Sequence, residues 1–95
     1  MKYIGYWEFD LRDWDKAFEL DEHISATRRE NPKDFPEIVL GAHFIGGSNK
    51  GLTIFETDDP KELLNVSLRF VPVLTWKFIP LYSATESAEL RKKMK

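Results

Sequence analysis

The segment between residues 38 and 56 constrains this chain most. The runs Ile38-Val39-Leu40-Gly41-Ala42-His43-Phe44-Ile45 and Leu52-Thr53-Ile54-Phe55-Glu56 are apolar and β-prone. Between them lies Gly46-Gly47-Ser48-Asn49-Lys50-Gly51, which holds three of the chain's five glycines, so the whole reads as a β-hairpin. Within its strands the ionisable side chains are His43 and Glu56. A half-buried strand carries such groups where they have a partner or a task.

Alternation along the hairpin makes that pair specific. If Ile45 pairs with Leu52, then His43 faces Ile54 and Gly41 faces Glu56, so His43 and Glu56 share one face a diagonal step apart. A carboxylate beside an imidazole holds one tautomer, as a general base or proton shuttle requires. His43 is therefore the candidate proton-handling group and Glu56 its orienter. A one-residue change of register would separate them onto opposite faces.

The rest of the chain falls around this hairpin. Tyr3-Ile4-Gly5-Tyr6-Trp7-Glu8-Phe9 is an aromatic-rich strand whose alternate sets are both largely apolar, so both of its faces need cover. Trp14, Ala17, Phe18, Leu20 and Ile24 recur at helical spacing and predict a helix from Asp13 to about Glu30. Asp10, Asp13 and Asp15 suit its start, and Arg28 and Arg29 its end. Pro32 and Pro36 stop it. Asp59 as N-cap, Pro60 at the first helical position and Glu62 two residues on form a capping box. The second helix then runs to about Phe70, burying Leu63, Leu64, Ser67, Leu68 and either Phe70 or Val71. Val73-Leu74-Thr75-Trp76-Lys77-Phe78-Ile79, between Pro72 and Pro80, is a fourth strand. Residues 83–95 form a tail with a second capping pair, Ser83 and Glu86, and a cationic end at Arg91, Lys92, Lys93 and Lys95. So short a helix holds only when docked.

The order strand, helix, strand, strand, helix, strand over residues 1–82 predicts a single α+β domain of the ferredoxin-like kind. Its four-stranded antiparallel sheet would carry both helices on one face. The other face is then bare, and an apolar sheet face of that size calls for a partner. A homodimer packed sheet on sheet supplies one.

Leu40-Gly41-Ala42-His43, the glycine-bearing turn, Gly51-Leu52-Thr53-Ile54-Phe55-Glu56-Thr57-Asp58-Asp59 and the later Phe70, Pro72 and Pro80 resemble a domain-of-unknown-function family. That family belongs to the dimeric α+β-barrel superfamily, which also holds small monooxygenases, haem-degrading enzymes and isomerase-like proteins. The resemblance implies the barrel-type dimer. No activity follows from it, because the family has none assigned.

Charge and composition remove several classes. Lys plus Arg is 14 against 16 for Asp plus Glu, a formal net charge of −2, which does not suit a protein that works by neutralising phosphates. The element order also fits an RNA-recognition motif. The base-stacking positions of that motif are aromatic, however, and here they are Leu52 and Ile54. With no cysteine there is no disulfide, thiolate zinc site, iron–sulfur cluster or cysteine nucleophile. Glu56, Asp58, Asp59 and His23 or His43 match no metal-ligand spacing, so no metal is expected, and no motif in the sequence points to a particular cofactor. No apolar run is long enough to span a bilayer, and a soluble, cytoplasmic protein is expected.

The abundant aromatic residues offer a place for a small molecule. Trp7 and Trp76 are candidate walls of a pocket between sheet and helices, and Gly5 and Gly41 would leave room there. Two functions are therefore in view. One is a monooxygenase- or isomerase-like enzyme acting through His43 and Glu56 on a small apolar or aromatic molecule. The other is a non-catalytic ligand-binding or structural homodimer.

Overall fold

In the computed structural model, which describes residues 1–94, strand β1 spans Lys2–Phe9, helix α1 Trp14–Glu30, β2 Glu37–Phe44 and β3 Lys50–Glu56. Helix α2 spans Lys61–Phe70, β4 Leu74–Leu81 and α3 Ala84–Lys93. The strands form one antiparallel sheet in the order β2-β3-β1-β4. β1 lies inside the sheet and turns Gly5, Trp7 and Phe9 towards the core, with Lys2, Tyr6 and Glu8 exposed on the other side. Ala17 and Ile24 of α1 and Leu63, Val66 and Phe70 of α2 join Trp7, Phe9, Phe55 and Leu74 in one core, so both helices cover the same sheet face. Each large side chain buried there contributes roughly 1.5–3 kcal/mol.

Local signals set the helix starts. Asp10 Oδ1 accepts from Arg12 N at 2.9 Å and opens a 3₁₀ turn, Leu11–Asp13, that leads into α1. At α2 the capping box closes through a relay. Asp59 Oδ1 accepts from Lys61 N at 3.0 Å, and Asp59 N donates to Thr57 Oγ1 at 3.0 Å. Glu62 then meets the Thr57 hydroxyl rather than the backbone of Asp59. The Asp59 carboxylate thus satisfies the open end of the helix, with Asp59 itself held through Thr57 and Glu62.

The buried stripe of α2 differs from the expected one. Leu63, Val66 and Phe70 face the core, while Leu64 and Leu68 are 55% and 61% exposed. Residues 63, 66 and 70 and residues 64, 68 and 71 make two apolar stripes side by side, and a sheet covers one. Phe70 decides between them, its ring packing on Trp76 at 5.5 Å.

The hairpin register also corrects the expectation. Ile45 N donates to Lys50 O at 2.9 Å, with Gly46 at φ 63° in the turn, so Ile45 meets Lys50 and not Leu52. Phe44 then pairs with Gly51, His43 with Leu52, Leu40 with Ile54 and Glu37 with Glu56. β2 bulges between Ile38 and Leu40 and again between Leu40 and His43. Each bulge adds a residue to β2 that β3 does not match and re-aims the side chains around it.

The sheet face away from the helices carries an apolar row across all four strands: Leu40 opposite Ile54, Ile54 opposite Ile4, Ile4 opposite Ile79. Beside it run His43, Leu52, Tyr6 and Lys77 on one side and Glu37, Glu56, Lys2 and Leu81 on the other. α3 begins where expected, with Ser83 Oγ accepting from Glu86 N at 3.0 Å, and it buries none of its residues. Lys95, the last of the cationic end, lies outside the described residues.

Candidate functional site

A cavity of about 240 Å³ lies between α1 and the sheet. Trp7, Phe9, Phe55 and Trp76 line it from the sheet, and Phe35, Val66 and Phe70 close its inner side. The lining residues that meet solvent are Phe18 and Asp21 of α1 and Ile38, Ala42 and Phe44 of β2, so the mouth opens between that helix and that edge strand. Phe44 is the hub of the rim. It stacks on Trp14 at 5.4 Å and on Phe18 at 6.2 Å, and meets Trp7 edge-on at 5.0 Å.

Two glycines allow these walls. At Gly51 a Cβ would fall on the Trp7 indole and within 2.5 Å of the His43 carbonyl oxygen. At Gly5 a Cβ would stand 2.9 Å from Trp76, 3.0 Å from Phe78 and 3.1 Å from Phe55. The space that Gly5 leaves is therefore filled by rings and is not part of the cavity. Gly41 has nothing within 4 Å of its Cβ position and does not line the cavity, contrary to the expectation for it.

Polar groups around the cavity are few. Trp7 Nε1 donates to Thr53 Oγ1 at 3.2 Å, and both are buried. Trp76 Nε1 is buried without an acceptor, its indole packed among Phe55, Phe70 and Phe78. At the mouth, α1 presents Asp21, Ser25 and Arg28. Burial raises the pKa of the Asp21 carboxyl, and the charge of Glu22 raises it further. Neither Asp21 nor Arg28 forms an ion pair among the described residues.

Of the residues named from sequence, Trp7 and Trp76 line the cavity. His43 does not. It sits on the uncovered sheet face opposite Leu52, with Nδ1 2.7 Å from the Gly41 carbonyl oxygen. Glu56 shares that face, yet Oε1 takes the Met1 ammonium at 3.3 Å. From Leu52 to Glu56 along β3 is roughly 13 Å at strand rise, so His43 and Glu56 do not meet. The residues that sequence reasoning passed over are Asp21, Ser25 and Arg28. Their spacing of four and three residues places them on one helical face beside Ala17 and Ile24, a signal legible in advance. Among the described residues no three His, Asp or Glu side chains gather as metal ligands would, and no helix is long and apolar enough to cross a membrane.

Fold and site together define a small α+β protein whose helix-covered antiparallel sheet borders an apolar cavity of about 240 Å³. The chain belongs to the family described as Domain of unknown function (DUF3303), which it matches over residues 1–95. No curated protein and no solved structure matches it significantly.

Proposed function

We propose that this protein is a ligand-binding homodimer of the ferredoxin-like, dimeric α+β-barrel kind, and that its ligand is a small aromatic molecule. The strand order β2-β3-β1-β4 and the helices on one face support the fold reading. The apolar row Leu40, Ile54, Ile4, Ile79 supports a second copy on the uncovered face, since a solvent-facing monomer sheet alternates to polar residues there.

The cavity under α1 carries the binding reading. Its volume of about 240 Å³ exceeds the roughly 150 Å³ that holds a benzene and falls just below the ~300 Å³ at which drug-sized sites begin. A one- or two-ring molecule fits that space, and ring walls favour a planar one. Binding is preferred to catalysis by His43 because the imidazole lies on the far side of the sheet from the cavity. An enzymatic reading runs instead through Asp21, whose raised carboxyl pKa at the mouth suits a proton-handling group. It stands second.

Calorimetry with neutral naphthalene-2-carboxamide tests the pocket, read beside the indole NMR signals of Trp7 and Trp76. Saturable binding that Ala42→Phe removes is the expected result; no binding to the folded wild-type protein overturns the reading. Sedimentation tests the assembly. Ile54→Lys should turn a dimer into a folded monomer, and a wild-type monomer at micromolar concentration would sink the dimer.

A further inference from the structure

We infer that the ligand is an aromatic carboxylate, its ring against the sheet-side tryptophans Trp7 and Trp76 and its carboxylate at Arg28; this rests on the pocket reading above. The lining holds two charged side chains, Asp21 and Arg28, and both stand on α1. Seven residues of helix separate them, roughly 10 Å at helical rise. The mouth therefore has an acidic end and a basic end, with the Ser25 hydroxyl between.

Arg28 is half-buried at the mouth and has no carboxylate partner among the described residues. The other arginines near the core are differently engaged. Arg69 donates to Asn65 Oδ1 at 3.1 Å and lies over the Phe35 ring at 5.1 Å. A guanidinium is a planar fork that takes a carboxylate through two parallel hydrogen bonds, and such charge-assisted bonds are about twice as strong as neutral ones. A neutral ligand would leave that fork unmatched beside a desolvated ring. A dianion such as a phosphate monoester calls for more donors than one guanidinium and one hydroxyl provide. A single negative charge is what Arg28 balances.

Asp21 gives the ligand a direction. It stands at the opposite end of the polar stripe, so a bound carboxylate is drawn to Arg28 and kept from Asp21.

The test compares two ligands of one shape, 2-naphthoate and naphthalene-2-carboxamide, by calorimetry on the wild-type chain, Arg28→Gln and Arg28→Lys at low salt. The expected result is that naphthoate binds about tenfold more tightly than the amide, as a hydrogen bond to a charged group warrants. Arg28→Gln should erase that difference, and Arg28→Lys should restore part of it. Equal binding of both ligands, indifferent to Arg28→Gln, overturns the carboxylate and leaves the pocket standing. Failure of both ligands on the folded wild-type protein overturns the pocket itself. Unchanged melting of Arg28→Gln separates lost binding from lost fold.

Discussion

The indole of Trp7 occupies the space that a side chain at Gly51 would need. The two are cross-strand partners of β1 and β3, and a Cβ at Gly51 would also stand 2.5 Å from the His43 carbonyl oxygen. One wall of the pocket thus exists because its neighbour has no side chain. Gly51→Ala must displace both a buried ring and the backbone of β2, and should cost about 3 kcal/mol, the upper end of ordinary overpacking. Gly41→Ala, with nothing within 4 Å, should cost little. Urea midpoints of the two variants check the contrast, and equal midpoints would refute it.

Thr57 is the hinge of the α2 cap. Its side chain is buried, accepts from Asp59 N at 3.0 Å and meets the Glu62 carboxylate. Thr57→Val keeps the shape and strands both partners, so a loss of about 1–3 kcal/mol is expected from unsatisfied polar groups. Glu62→Gln, which can still bond the hydroxyl, should lose less. Denaturant unfolding of both variants settles the order, and a Thr57→Val protein as stable as the wild type would dismiss the relay.

His43 and Glu56 act independently in this register. Groups that far apart without a shared partner combine additively to within about 0.3–0.5 kcal/mol. A double-mutant cycle of His43→Ala and Glu56→Gln should therefore show no coupling. A coupling energy well above that range would restore the pair as a site.

Two carboxylates give acid-range stability opposite signs. The Arg12 side chain, hydrogen-bonding Asp10 through Nε and Nη2, and then the Arg12 backbone N–H lower the Asp10 pKa from 3.8 to about 2. A depressed folded pKa means that the contribution is present above the unfolded value and lost as pH falls through about 2. Asp10→Asn should therefore melt slightly below the wild type at neutral pH, with the gap closing in acid. Asp21 is raised, by burial first and by Glu22 second. Its favourable contribution is full below the unfolded value and is lost as pH rises through the folded one. Asp21→Asn should melt as high as the wild type or higher at neutral pH and lose that advantage in acid. Melting temperatures across pH for both variants check the signs, and a lower neutral-pH melting point for Asp21→Asn contradicts the second.

The sequence alone determined what a few neighbouring residues decide. The aromatic, β-prone composition of residues 3–9, the helical spacing from Trp14 to Ile24, and the Asp59, Pro60 and Glu62 start placed the elements, because propensity, period and capping act within one or two turns of chain. Trp7 and Trp76 were legible for the same reason as large rings on strands that need cover, and both line the cavity. Tertiary structure alone decided register and phase. The turn at Gly46 and the bulges of β2 set which residue His43 faces, and two equally apolar stripes on α2 were separated by the fit of Phe70 against Trp76. Such choices rest on the volumes and hydrogen bonds of segments distant in the chain. A shift of two residues at the turn keeps His43 on its face while changing its neighbours, and for that reason His43 and Glu56 share a surface without sharing a site.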